Sequence, residues 1–204
     1  MYFAKKLSIN KITIIIEPGF WLAISLALMC LPISWLVAWI IAAFLHELFH
    51  LLALKMCNIE VEKICIGPFG AIIEADIEPG FSMSVCALAG PFSGLAALPL
   101  VHCCPRIVLC SLLQSISNLL PITPLDGSKV IMGVVYALFG RKTAHLICQF
   151  LDRFTFVSVA LYLCYITYCF RFGILPILVL ILLLVKKKFL ANHSLWRYNM
   201  VKRK

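Results

Sequence analysis

Two histidines and a glutamate lie close together in the segment His46-Glu47-Leu48-Phe49-His50, inside an otherwise apolar stretch. On an α-helix, residues four positions apart lie on one face, so the two imidazoles can share a metal ion. Zinc accepts imidazole ligands and activates bound water, and a neighbouring carboxylate can take the proton of that water. The spacing therefore predicts a zinc site formed by His46 and His50, with Glu47 as general base.

A third ligand is needed, because catalytic zinc normally has three protein ligands and one open position. Asp126 is the only acidic residue between Glu78 and Asp152. It follows Pro121 and Pro124, which interrupt a helix, and such a break allows a polar side chain to turn towards a cavity. Asp126 is therefore the candidate third ligand, and helix N-capping is its alternative role.

The composition indicates a membrane protein. The 204-residue chain is 63% hydrophobic, with a mean hydropathy of +1.02, whereas soluble domains average nearer half apolar residues. The net charge of +9 could indicate a nucleic-acid partner. The basic residues cluster at the ends of apolar stretches, however, so we expect contact with the lipid bilayer and none with nucleic acid.

The apolar pattern predicts an all-α polytopic membrane protein with about six transmembrane helices, which form a single domain over residues 1–204. The first span could begin at residue 20 or extend back over the apolar run 12–16. A helix over 126–140 is predicted to follow the fourth span. A basic tail covers residues 186–204. The predicted spans are 20–33, 34–56, 83–101, 107–125, 154–170 and 173–185.

Residues 58–80, after the second span, are expected to form a small β-hairpin beside the membrane. A Gly67–Gly70 turn precedes a stretch in which apolar and polar residues alternate, which is typical of a half-buried strand. We hypothesise that the strand near 71–77 pairs with an unwound peptide, and packing of the hairpin against the span ends is the alternative.

The distribution of basic residues predicts the orientation. With six spans, only Arg106 and Arg171 lie on the side opposite the termini. The positive-inside rule then places both termini in the cytoplasm of a multi-pass cell-membrane protein. At about 1.5 Å per residue, His46 lies roughly 18 Å from the outer end of its span, so the site is within the bilayer towards the cytoplasmic side.

The ordered motifs resemble the site-2 protease family of intramembrane zinc metalloproteases. They are His46–His50, then Ala89-Gly90-Pro91, then the Asn118–Gly127 segment, and the resemblance covers roughly residues 15–200. More narrowly, the chain resembles the branch that contains the stage IV sporulation protein FB, with its short basic N-terminus and Pro68-Phe69-Gly70 turn. We do not expect an inserted PDZ domain in this chain. We also do not expect the C-terminal CBS domain that the sporulation protease has.

The resemblance implies His46, His50 and Asp126 as ligands of Zn²⁺ and Glu47 as the catalytic residue. It also implies that Asn118 contacts the substrate backbone or the developing oxyanion. From the residues alone, an interhelical hydrogen bond is an equally good role for Asn118.

The sequence also departs from the family pattern. Phe49 and Ser128 stand where the family often has glycine, and the run Phe92-Ser93-Gly94 follows Pro91 where the pattern often continues to an asparagine.

The implied activity is cleavage of a membrane-tethered regulator, for example a pro-sigma factor in sporulation or an anti-sigma factor. Its partners would be a single-span or membrane-associated substrate and regulatory membrane proteins. One alternative is an inactive relative that binds membrane proteins. Another is a metal transporter, because intramembrane His and Asp also mark ion paths. The convergence of ionisable residues on one point, with Glu47 placed as a base, favours the protease.

Overall fold

The computed structural model describes residues 5–9, 12–68, 70–170, 181 and 184–185. Two strands precede two helices, a second pair of strands follows, and three further helices complete the described part. In order, these elements are β1 (Lys5–Ile9), β2 (Ile12–Ile16), α1 (Pro18–Cys30), α2 (Ile33–Met56), β3 (Val61–Gly67), β4 (Gly70–Ala75), α3 (Phe81–Ala96), α4 (Pro105–Asn118) and α5 (Asp126–Phe170).

Helices dominate the described chain, as predicted. Three helical stretches, Ile33–Met56, Phe81–Leu100 and Asp126–Cys169, are long and apolar enough to cross a membrane. Helix α1 is apolar but shorter, and it exposes Trp21, Leu22 and other large apolar side chains that a bilayer would cover. The count of six spans stays a prediction, since most of the sixth predicted span and the basic tail lie outside the described residues.

The strands form one four-stranded sheet in the order β1-β2-β3-β4. Strands β1 and β2 are antiparallel, β2 and β3 are parallel, and β3 and β4 are antiparallel. The predicted hairpin is present as β3 and β4, but it is half of a larger sheet. Strand β4 lies at one edge, so one side of its backbone has no neighbouring strand in this sheet.

The N-terminal segment differs from the prediction. Residues 12–16 do not extend the first span but form β2, the second strand of the sheet. The Thr and Ile residues of this run are β-branched, which favours a strand. Pro18 then begins α1. The first N–H groups of a helix have no partner within the helix, so the missing N–H of proline costs no hydrogen bond there.

The connection between α4 and α5 contains the predicted break, but α4 ends earlier than the predicted fourth span. Helix α4 ends at Asn118, so the predicted fourth span is shorter and residues 119–125 are not helical. Pro121 and Pro124 explain this, because neither has an N–H for a helical hydrogen bond. Helix α5 contains a break at Gly140, which has a φ of 78°, and it is helical from residue 141 rather than from the predicted position 154.

Helix α3 is central, packing against α2, α4 and α5. The Ser84 hydroxyl of α3 donates a hydrogen bond to the Val130 carbonyl of α5 at 2.8 Å. The sheet packs against the same helices, since Ile73 contacts a buried cluster formed by Ala53, Leu54 and Cys86. The hairpin therefore does pack against the ends of α2 and α3, which was the alternative expectation for it.

Candidate metal centre

Helix α2 carries the two histidines on its buried side. His46 is 4% exposed, and the Nε2 atoms of His46 and His50 are 3.2 Å apart. The rings meet edge to face, with centroids 4.9 Å apart. Both imidazoles thus direct Nε2 towards the same point, as their helical spacing predicts.

Asp126, the first residue of α5, completes the group. Its Oδ2 atom lies 3.0 Å from Nε2 of His46 and 3.1 Å from Nε2 of His50. The other oxygen, Oδ1, accepts a hydrogen bond from Nζ of Lys129 at 3.0 Å. Both carboxylate oxygens therefore contact side chains. The structure brings the three predicted ligands together.

The donor spacing fits a tetrahedral zinc ion. Ligand bonds of about 2.0–2.1 Å in such a site place neighbouring donor atoms about 3.3 Å apart. The three donor atoms here are separated by 3.0, 3.1 and 3.2 Å. Two imidazoles and one carboxylate are also donor types that catalytic zinc accepts, with a fourth position left open for water.

The hydrogen bond of His50 also fits a bound cation. Nδ1 of His50 lies 2.7 Å from the Cys86 carbonyl oxygen. A carbonyl can only accept, so Nδ1 carries the hydrogen and a neutral His50 presents a lone pair at Nε2. That lone pair faces Oδ2 of Asp126 at 3.1 Å, and a bound metal ion would relieve the repulsion between the two atoms by accepting both as ligands. His46, His50 and Asp126 could therefore hold a metal ion.

Gly90 of α3 lies directly against the candidate ligands. A Cβ atom at this position would stand 2.1 Å from Nε2 of His50 and 2.7 Å from Nε2 of His46. These separations are far below van der Waals contact, so a larger residue would displace the ligand atoms. The Ala89-Gly90-Pro91 motif is thus explained by the space that the metal centre needs.

Substitution of Gly90 by Ala is expected to weaken zinc binding. Overpacking of this kind costs about 1–3 kcal/mol, which corresponds to an affinity loss of about 5- to 150-fold. Zinc competition with a chelator in detergent measures it. Gly80→Ala, at the residue immediately before the same helix, is the matched control, because nothing lies within 4 Å of its added Cβ. Equal zinc affinities of the two variants would contradict the assigned role.

Glu47 and Asn118 lie at the same site. Glu47, next to His46 on α2, lines the cavity that contains the candidate ligands. Asn118, at the end of α4, has its Nδ2 atom 3.4 Å from Nε2 of His46. This contact places Asn118 beside the metal centre and also joins α4 to α2, so its role towards substrate stays a prediction.

A cavity of about 690 Å³ connects the metal centre to the sheet. The ligand side chains and Glu47 line one part, and β4 lines another through residues such as Ala71 and Ile73. Trp39 and Gln114 lie in its wall, and the Gln114 amide donates to the Trp39 carbonyl at 3.1 Å. The edge strand and the candidate metal site therefore face a common space.

Comparison with known proteins identifies the fold. No family model matches the sequence, and no curated protein matches it. Among solved structures, the site-2 protease from Methanocaldococcus jannaschii is similar, with a TM-score of 0.62 and 22% sequence identity. The similarity covers 89% of this chain and 92% of that one. The chain has the site-2 protease fold. The narrower resemblance, to the sporulation protease branch, stays a prediction.

Phe49, which departs from the family pattern, contacts Phe92, the first residue of the run that departs from it after Pro91. The ring centroids of Phe49 on α2 and Phe92 on α3 are 6.4 Å apart, with the planes tilted by 46°. Phe49 therefore contributes to packing between these helices. The third departure, Ser128, donates its hydroxyl to the Leu125 carbonyl at 2.7 Å and closes the turn that begins α5.

The sequence prediction missed three parts of the site. Lys129, which holds Asp126, was detectable because a helix brings residues three apart together. The Cys86 carbonyl was not detectable, because a backbone group carries no residue-specific signal. The third is Asp152, whose Oδ1 accepts the Thr123 N–H at 2.7 Å.

Proposed function

We propose that this chain is an intramembrane zinc endopeptidase that cleaves a peptide bond in or near the membrane segment of a membrane-tethered protein. The observation that carries the proposal is the convergence of His46, His50 and Asp126 on one point, with Glu47 lining the same cavity. The site-2 protease fold supports it. A regulatory substrate such as a pro-sigma factor, and membrane proteins that control the activity, belong to the same proposal.

The residues of the chain divide the chemistry between them. His46, His50 and Asp126 would hold zinc, which when bound supplies Lewis-acid activation of water and of the scissile carbonyl. Glu47 takes a proton from the attacking water and returns it to the leaving amine. Asn118, whose Nδ2 lies 3.4 Å from Nε2 of His46, would donate its amide N–H to the oxygen on which negative charge develops.

The proposed location follows from the charge distribution. Both termini are cytoplasmic, and the loop that contains Arg106 is on the opposite side. His46 then lies within the bilayer, towards the cytoplasm. A cavity at this depth has to admit water and an unwound peptide, because a transmembrane helix keeps its carbonyls hydrogen-bonded.

Co-expression with candidate single-span proteins tests the proposed function. Wild-type protein should convert a substrate to shorter fragments, and the Glu47→Gln variant should not. Equal cleavage by both would overturn it. Zinc-loaded wild type that binds such proteins without cutting them would favour an inactive relative, and Glu47-independent zinc flux into vesicles would favour a transporter.

We further propose that β4 binds the unwound substrate as an added strand. The strand is at the edge of the sheet and lines the cavity that contains the candidate ligands. An edge strand offers unpaired N–H and C=O groups, and these can pair with an extended peptide that has left its own helix. The peptide would then lie between β4 and the metal centre.

Proline substitutions at Ile72 and Ile73 test this pairing. Successive N–H groups of a strand point to opposite edges, so one of the two prolines removes a donor that faces away from β3. We expect at least one variant to lose cleavage while retaining zinc, as measured by cleavage assay and metal analysis. Wild-type cleavage rates in both zinc-loaded variants would contradict strand addition.

A further inference from the structure

Asp152 is an acidic residue in a largely apolar helix. It lies in α5 beyond the break at Gly140, roughly 18 Å along the helix at about 1.5 Å per residue. Asp126 lies on the other side of this break, roughly 21 Å from it along the helix. The two acidic residues are therefore at similar distances from the break, in opposite halves of α5.

Asp152 contacts the segment that carries the third candidate ligand. Its Oδ1 atom accepts a hydrogen bond from the backbone N–H of Thr123 at 2.7 Å. This distance is at the short end of the range for N–H···O hydrogen bonds. Thr123 lies in the non-helical connection between α4 and α5, three residues before Asp126.

This connection has few backbone bonds of its own. Pro121 and Pro124 have no N–H, and the turn is closed by short bonds from Ile122 N–H to the Leu120 carbonyl at 2.8 Å and from Leu125 N–H to the Ile122 carbonyl at 2.7 Å. Neither bond reaches outside the segment, and the other backbone bonds tie only its ends to the adjoining turns of α4 and α5. The bond to Asp152 attaches it to the second half of α5, 29 residues along the chain.

The connection must also hold its position closely. A Cβ atom on Gly127 would lie 2.1 Å from the Leu119 carbonyl oxygen, so the two ends of the segment are in close backbone contact. Asp126 stands at the end of this tight turn, and its Oδ2 has to remain near both imidazoles. A shift of the turn would move the carboxylate away from His46 and His50.

We propose that Asp152 is a positioning residue of the metal centre. It holds the Thr123 N–H and thereby fixes the turn that places Asp126 beside the two histidines. The inference rests on the zinc site of the proposed function, but its test measures metal binding and needs no substrate. The second half of α5 thus acts as a support for the ligand set, which otherwise comes from α2 and the start of α5.

The test compares Asp152→Leu, Asp152→Asn and Gln149→Leu in the full chain purified in detergent. Zinc affinity is measured by chelator competition, and ligand geometry by the visible spectrum of the Co²⁺-substituted protein. Loss of an outer-shell partner typically lowers metal affinity 10- to 100-fold, and we expect a loss of about this size, with a changed cobalt spectrum, for Asp152→Leu. The Asn variant keeps a carbonyl acceptor, so it should remain within about fivefold of wild type.

Gln149 is exposed on the same helix, so Gln149→Leu controls for added apolar bulk and should match wild type. Asp152→Ala removes the acceptor without adding bulk, and it keeps the test readable if the leucine prevents folding. Wild-type affinity and an unchanged cobalt spectrum in Asp152→Ala would overturn the proposal, as would equal losses in the Asn and Ala variants. A wild type that binds zinc and cleaves nothing would count against the proposed protease and leave the positioning role intact.

Discussion

Substitution of Glu47 by Gln is expected to abolish measurable cleavage while the protein keeps its zinc. Glutamine has nearly the same shape as glutamate but cannot take a proton from the attacking water. Removal of a general base typically lowers the rate by about 10²- to 10⁴-fold. Glu47 is not one of the three converging donors, so zinc content measured by atomic absorption should stay at the wild-type level.

The control for Glu47 is Glu60→Gln, which makes the same chemical change at an exposed position between α2 and β3. Its cleavage rate should equal that of wild type. Full activity of Glu47→Gln would rule out the proposed general base. Loss of zinc in that variant would instead show that the carboxylate contributes to binding the metal.

Substitution of Asp126 by Ala is expected to remove both the metal and the activity. Two imidazoles alone are a poor zinc site, because catalytic zinc normally has three protein ligands. Loss of an outer-shell partner already lowers affinity 10- to 100-fold, so loss of a ligand should exceed about 100-fold. Isothermal titration of the metal-free protein with zinc measures this change.

Asp76→Ala is the matched control for Asp126, because it removes an acidic side chain that is exposed after β4. It should bind zinc as wild type does. Unchanged zinc affinity in Asp126→Ala would contradict the assignment of the third ligand, and a site formed by His46, His50 and another residue would then have to be sought.

The local features of the site could be predicted because they depend on short-range geometry. Any helix brings residues four apart to one face, so the spacing of His46 and His50 already implied a shared metal. The prolines at 121 and 124 implied a broken helix before Asp126, because they lack backbone donors. Alternation after the Gly67–Gly70 turn implied the strand that became β4.

The N-terminal strands could not be predicted from local pattern. Residues 12–16 are apolar enough to belong to a span, and only their parallel pairing with β3 makes them part of the sheet. That pairing joins segments separated by the whole of α1 and α2. Apolar runs of this length are ambiguous between a strand and part of a helix until their neighbours are known.

The sequence by itself determined the ligand types, the base beside them, the apolar spans and the break before Asp126. The tertiary structure decided which of these meet. It placed Oδ2 of Asp126 3.0 Å from Nε2 of His46. It also brought the Cys86 carbonyl to Nδ1 of His50 and the Asp152 carboxylate to the Thr123 N–H. The physical reason is that residue types and helical spacing act over one or two turns, whereas a metal centre needs three donor atoms at one point. Only packing of α2 and α5 around α3 supplies that convergence.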